Sequence, residues 1–442
     1  MTGRGLILSA PASGSGKTIV TAGLARLMRH RGLRVATAKA GPDFVDPTFH
    51  EAAIGTRSLN LDVWGMRPAA LAALVADLEA SADLVFCEGV MGLFDGTGHD
   101  GETGSTAELA LRTGWPVVLI VDARGQGASV AALLRGFATH QLSVPIAGVI
   151  FNNVASARHT AMLTAAVARH LPSLPCLGAL PFDPSLIVPK RHLGLVPAGE
   201  LDEIETLIDR CATRIATALY IDRLLRLPRP AALAASERAT FIPPLGQRIA
   251  VAHDKAFCFT YPVMLESWRR EGAELMFFSP LEDEPPQGLA DSVYLPGGYP
   301  ELWAGRLASA AGFLAGLRQA AEDRKPIYGE CGGYMVLGKG LVDGTGWRWQ
   351  MAGLLPLVTS FAERRLHLGY RSAALLGLTP LGPAGTRFRG HEFHYATVVS
   401  QEEIDPLFAV GDAAGKIIGA GGLQRGSVFG SFLHLIDRAP EQ

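Results

Sequence analysis

Gly5-Leu6-Ile7-Leu8-Ser9-Ala10-Pro11-Ala12-Ser13-Gly14-Ser15-Gly16-Lys17-Thr18 decides how this chain is read. An apolar run enters a glycine-rich turn, and the turn opens a helical pattern carried by Ile19, Ala22, Leu24 and Leu27. Strand, glycine loop and helix in that order make a phosphate-binding loop, whose backbone N–H groups converge on phosphate oxygens at a helix N-terminus. Ser13, Gly14, Ser15 and Gly16 then wrap the phosphates of a nucleotide. Lys17 reaches the β- and γ-phosphates, and the Thr18 hydroxyl ligates Mg²⁺. The strict pattern places a glycine five residues before Gly16, where this chain has Pro11.

Working outward, residues 1–225 alternate short apolar runs (5–10, 34–40, 84–88, 117–122 and 146–152) with amphipathic stretches such as 18–30 and 68–78. That alternation predicts a parallel sheet covered on both faces, with ligands at the carboxyl ends of its strands. Residues 226–245 are rich in proline and small residues and read as a linker. A second strand series, at 248–253, 274–278, 292–296 and 326–329, opens a domain over 246–442. The expectation is two α/β domains with mainly parallel sheets. A chain of 442 residues is too long for one ordinary core.

Composition excludes several classes. Hydrophobic residues make up 48% and charged residues 19%, which suits buried α/β domains rather than disorder. A net charge of −2 gives no field that favours nucleic acid or an anionic membrane. No apolar run is long enough to span a bilayer, and no basic segment followed by an apolar stretch opens the chain. The five cysteines are scattered, with no pair at metal or redox spacing. These features predict a cytoplasmic protein with free thiols, and they neither require nor exclude a homodimer.

Polar residues at the predicted strand ends carry the chemistry. Lys39-Ala-Gly-Pro-Asp43-Phe44-Val45-Asp46 follows the second strand, and Glu88-Gly-Val-Met-Gly-Leu-Phe-Asp95 follows the third. Asp43 and Glu88, with Asp46 and Asp95, are candidates to hold Mg²⁺ and manage a phosphoryl group, and Lys39 to neutralise it. Asp43 and Asp46 as turn caps, and Asp95 as a plain turn, are the structural alternatives. Asn152, ending the fifth strand, is open to two readings: adenine recognition or turn formation.

In the second half, Ile327-Tyr-Gly-Glu330-Cys331-Gly332-Gly333 reads as strand, sharp turn and helix. Glycines around a cysteine at such an elbow mark Cys331 as a nucleophile, with the helix dipole expected to favour its thiolate. His434, at the end of a terminal apolar segment, suits the base; His391 and His394 compete for that role. His391 and His394 alone make a weak metal motif without a third ligand. Gly298, in Leu295-Pro-Gly-Gly298, and Gly332 offer N–H groups for an oxyanion hole, with a plain turn as the alternative for the Pro-Gly-Gly.

The second half resembles class I glutamine amidotransferase domains, and the first resembles the dethiobiotin-synthetase-like group of P-loop ligases. Together, over essentially the whole chain, they resemble the cobyrinic or hydrogenobyrinic acid a,c-diamide synthase family of the cobalamin pathway. The matching motifs are Ser9–Thr18, Lys39–His50, Glu88–Gly96, Arg191–Leu195 and Gly390–Tyr395. The resemblance implies a glutamine-hydrolysing carbon–nitrogen ligase. MgATP would activate corrin acetate carboxylates as acyl phosphates. Ammonia, freed from glutamine through a Cys331 thioester and kept within the enzyme, would then form the amides. It places Phe44 and Val45 near the macrocycle, and Arg191 and His192 near its other carboxylates, with a structural ion pair as the alternative for the last two. Most class I relatives carry a Glu two residues after the catalytic His, where this chain has Ile436. Asp437, Glu392 or a backbone carbonyl are the candidates to orient His434. Cobyric acid synthase is the rival within the same domain types. A partitioning ATPase would not carry the cysteine elbow. Cobalt in the substrate is left open, with a lean towards metal-free hydrogenobyrinate.

Overall fold

A computed structural model describes residues 3–98, 101–191, 194–234, 236 and 240–440. It divides into two compact units, residues 1–64 with 68–239, and 65–67 with 240–442.

The first unit is built on β1 (Arg4–Ser9), β2 (Val35–Ala40), β3 (Leu59–Leu61), β4 (Leu84–Glu88), β5 (Val117–Asp122), β6 (Ile146–Val154) and β7 (Cys176–Pro181). They form one sheet in the order β3-β2-β4-β1-β5-β6-β7, and every pairing is parallel. The sequence explains why. β4 is buried along its whole length and β5 along all but its last residue, so neither shows the polar alternation of a half-exposed strand. Helix α1 (Lys17–His30) follows β1 across the glycine loop, and α2 (Asp46–Ile54) follows the turn after β2. The carboxyl ends of β1, β2, β4 and β6 therefore carry the glycine loop, the Asp43–Asp46 turn, Glu88 and Asn152. β3 and β7 were not among the expected strands; β3 has only three residues, too few for a period.

In the second unit a six-stranded sheet runs Glu274–Phe278, Arg248–Ala252, Ser292–Leu295, Ile327–Glu330, Val428–Ser431, Leu423–Arg425, parallel except for its last pairing. Its core includes Val293, Leu295, Ile327, Phe257 and Phe313. Two further sheets were not read from the sequence. One has four strands and mixes parallel and antiparallel pairings. The other is an antiparallel five-stranded sheet that ends in Arg387–His394 and Leu433–Arg438. In its register His391 lies opposite His434. Among the described residues no helix is long and apolar enough to cross a membrane, and all five cysteines are free thiols.

Candidate active sites

Gly16 takes φ 89° immediately before α1, a left-handed conformation open to glycine at little cost. A Cβ there would also lie 2.3 Å from the side-chain nitrogen of Asn152. That same Asn152 amide donates to the Ser15 carbonyl at 2.9 Å. Asn152 thus braces the loop, its nitrogen on the loop backbone, and it also lines the adjoining cavity. Ser15 is buried, with its hydroxyl on the Ala12 carbonyl, whereas Ser13 and Gly14 line the open space.

Around the loop the charged residues converge. The Thr18 hydroxyl donates to Glu88 at 2.9 Å and is 3.2 Å from Asp46. Lys39 Nζ lies 2.7 Å from Asp46 and 3.2 Å from Glu88, and also donates to the Gly89 carbonyl at 3.0 Å. Lys17 Nζ donates to the Met91 carbonyl at 2.6 Å. Burial opposes the charge on Lys39, but Asp46, Glu88 and Asp43 outweigh it and hold its pKa above the usual value. Burial likewise opposes the charge on Glu88, yet Lys39, His50 and Lys17 hold it well below the usual carboxylate range. Burial, with repulsion from Asp43 and Glu88, lifts Asp46 to about 7 against the pull of Lys39. Lys17 is lowered by burial and then by Lys39.

Several expected roles change. Asp43 spends one oxygen on the N–H groups of Val45 and Asp46, at 2.8 and 2.7 Å, so it caps the turn, and Asp46 is the carboxylate that meets Thr18. His50 closes the Lys39–His50 motif. It is fully buried and lies 2.7 Å from Glu88. Asp46 and His50 are one helical turn apart on α2, which puts both on the face towards Glu88. That spacing was the available signal. Asp95 is exposed and accepts from the Gly92 N–H at 2.8 Å, a turn contact, while its charge still reaches Lys17. Arg191 makes a two-pronged pair with Glu200 at 2.9 and 3.0 Å, matching its structural alternative. His192 lies outside the described residues. Phe44 is half-buried and Val45 buried. Ser13, Lys17, Thr18, Lys39, Asp43, Val45, Asp46, Glu88, Asn152 and Arg191 line one cavity of about 690 Å³. Exposed apolar side chains, Met91, Phe182 and Ile187, also line it.

Thr18, Asp46 and Glu88 bring a hydroxyl and two carboxylates together, all oxygen donors of the kind a hard divalent cation takes. This donor set fits Mg²⁺, with Asp46 rather than Asp43 beside Thr18.

In the second unit Cys331 sits between strand Ile327–Glu330 and helix Gly332–Leu337 at φ 47°, ψ −105°, a strained elbow for a residue with a Cβ. Its N–H donates to the Ser431 carbonyl at 2.8 Å. A Cβ on Gly297 would lie 2.4 Å from His434 Cε1, 3.2 Å from its Nε2 and 3.3 Å from Cys331 Cβ. Imidazole and thiol-bearing carbon therefore flank one glycine. The Gly298 N lies 3.1 Å from where a Gly332 Cβ would be, so the two oxyanion candidates are adjacent.

The expected thiolate is not favoured here. Burial pushes the Cys331 thiol up, Glu301 and Glu330 add to the rise, and the Gly332 N–H opposes it only in part. The six-residue helix does not outweigh burial. His434 is pushed well below its usual value by burial, then by His391 and His394. Among the competing bases, His391 stacks on His434 with ring centroids 4.9 Å apart, and burial lowers it to about 3. His394 is held by the Ala396 carbonyl and Glu392, each at 3.0 Å, and stacks on Phe432. A third residue near the His394 motif does exist: His367 lies with Glu392 and His394, their polar atoms within 4.8 Å, although Glu392 is already paired with Arg371 at 2.9 Å. Of the candidate orienters, Asp437 is taken by Arg67, which donates to it from its backbone N–H at 2.9 Å and from its guanidinium at 2.8–3.2 Å. Glu330, which stands next to Cys331 in sequence, also faces His434: its Oε2 lies 3.9 Å from Nδ1.

Comparison with known proteins adds to this geometry. Residues 6–196 match the CobQ/CobB/MinD/ParA nucleotide binding domain, and residues 248–441 match the CobB/CobQ-like glutamine amidotransferase domain. The chain is 51% identical to hydrogenobyrinate a,c-diamide synthase of Rhizobium meliloti (strain 1021), over 98% of this chain and 99% of that one. It is 52% identical to the same-named protein of Rhodobacter capsulatus, over 98% of each. With that of Brucella anthropi it shares 49%, over 99% of this chain and 100% of the relative.

Proposed function

The chain belongs to the hydrogenobyrinate a,c-diamide synthase family, glutamine-dependent ligases of cobalamin biosynthesis, and from that premise we propose how its two sites divide the reaction. The near-half identity across the full length carries the choice of acceptor, metal-free hydrogenobyrinate, over both cobyrinate and the cobyric acid synthase alternative.

In the first unit the loop amides and Lys17 hold the ATP phosphates, Lys17 exchanging the Met91 carbonyl for phosphate oxygens. Thr18, Asp46 and Glu88 would hold Mg²⁺, which when bound supplies charge neutralisation on the phosphates. An acetate carboxylate oxygen of the corrin attacks the γ-phosphorus; the bond to ADP breaks and an acyl phosphate forms. Lys39, kept charged by its two carboxylates, stabilises the transferring group. His50 holds Glu88 from the other side. Asn152 keeps the loop in shape. The apolar rim of Met91, Phe182 and Ile187 suits the face of a macrocycle.

In the second unit the Cys331 proton passes to His434 as sulfur attacks the glutamine amide carbon. The oxyanion is received by the Gly298 and Gly332 N–H groups. The C–N bond breaks, His434 returns the proton to the leaving nitrogen, and ammonia departs. Water then hydrolyses the thioester to glutamate. Ammonia attacks the acyl phosphate carbon and expels phosphate, giving the amide. Serving ammonia directly to the acyl phosphate avoids its protonation in bulk water.

The test is mass spectrometry of hydrogenobyrinate and cobyrinate, each incubated with enzyme, MgATP and amide-¹⁵N glutamine. Two labelled amides on hydrogenobyrinate are expected. Two on cobyrinate and none on hydrogenobyrinate would overturn the acceptor.

A further inference from the structure

We propose that Glu330 is a positioning residue of the glutaminase site, holding His434 at Nδ1 so that Nε2 is turned to Cys331. The inference rests on the assignment of Cys331 and His434 above.

Geometry comes first. Glu330 Oε2 lies 3.9 Å from His434 Nδ1, with both side chains buried. That distance is too long for a hydrogen bond, so at rest the two groups are neighbours that face each other. The carboxylate is pinned. Its Oε2 accepts from the Tyr294 hydroxyl at 2.9 Å; its Oε1 accepts from the Tyr328 hydroxyl at 2.8 Å and from the Leu435 N–H at 3.2 Å. One carboxylate thus grips the backbone next to His434 and faces its ring. The opposite edge of the ring is the one at Gly297, beside Cys331 Cβ.

Chemistry requires such a group. Taking the thiol proton makes an imidazolium in a fully buried place, where burial alone disfavours it. A fixed carboxylate offsets that cost, as the third residue does in a triad. The usual donor position is Ile436, Asp437 is spent on Arg67, and Glu392 on Arg371 and His394. Glu330 stands one residue before the nucleophile and faces the ring.

Titration offers a readout. Burial lifts Glu330 to about 7, against the lowering effect of its two tyrosines and Leu435. The other groups facing it titrate elsewhere: Tyr294 and Tyr328 well above their usual value, Cys331 up, and His434 with its stacked partner His391 down. Of the carboxylates acting on Cys331 from other segments, Glu301 and Glu392, the latter is lowered.

The test uses the full chain without ATP, and a chloroketone analogue of glutamine. The Cys331 sulfur bonds to carbon, chloride leaves, the thiol proton goes to His434, and the adduct is read by intact and peptide mass. The wild-type rate constant kinact should rise with pH through about 7 as Glu330 ionises. E330Q should lower kinact about 100-fold with KI little changed, and should flatten that rise. E330D should restore part of the rate. Y328F, which removes a hydrogen bond that lowers Glu330, should shift the rise to higher pH, and this arm decides if E330Q does not fold. An unchanged kinact and pH profile in E330Q, or an unmoved rise in Y328F, overturns the proposal. Alkylation of the wild type at a residue other than Cys331 would instead overturn the glutaminase assignment beneath it.

Discussion

The two sites handle charge differently. In the first unit opposite charges override burial at Glu88, which is held low, and at Lys39, which is held high, while burial still lifts Asp46 to about 7 and lowers Lys17. In the second unit the same burial works against charge: Cys331 is pushed up, His434 down, and Glu330 up to about 7. The reason lies in the reactions. Phosphoryl transfer moves a group that is always multiply charged, so fixed compensating charge is useful throughout. Thioester formation needs a thiolate–imidazolium pair only while sulfur attacks, and a site that is neutral at rest keeps the nucleophile quiet until glutamine enters.

The contrast can be broken first at Glu88. Glu88→Gln should lower amide synthesis at least ~10³-fold with either glutamine or ammonium salt, since Lys39, His50 and Thr18 all converge on that carboxylate, while glutamine hydrolysis persists. Product mass and released glutamate, measured together, check it. A smaller effect is expected from Gly297→Ala, whose methyl would meet His434 Cε1 at 2.4 Å. Displacing the ring should slow glutamine hydrolysis by about 10–100-fold and leave ammonium-driven synthesis intact. Smallest is Asn152→Ala, which removes one hydrogen bond from the loop. The KM for ATP should rise about tenfold, with glutamine hydrolysis unaffected.

The phosphate loop and the nucleophile elbow were legible from local order. Gly16-Lys17-Thr18 after an apolar run needs one strand and one helix, and Cys331 between glycines at a strand end needs the same. Less legible was the geometry that separates neighbours. Asp43 and Asp46 are both plausible ligands in a list of residues. Only the turn, in which Asp43 binds the N–H groups of Val45 and Asp46, shows that Asp46 is the one beside Thr18. Asn152 lies two residues before the end of β6, and what it reaches depends on how β6 lies beside the loop. Glu330 was hidden by its neighbour. A strand-end Glu before a nucleophile resembles any polar strand end until Leu433–Arg438, from more than a hundred residues later, brings His434 to it. The antiparallel five-stranded sheet was not legible because its strand Leu433–Arg438 is a late edge, set by pairing rather than by a local turn signal.

Cys331→Ala tests most directly whether two chemistries, one charged and one neutral, are separable. The folded variant would be given hydrogenobyrinate and MgATP with either glutamine or ammonium chloride, and the product weighed. Two amides from ammonium at close to the wild-type ammonium rate, and none from glutamine, are expected. A folded variant that makes no amide from ammonium, or still makes it from glutamine, would contradict the division of labour.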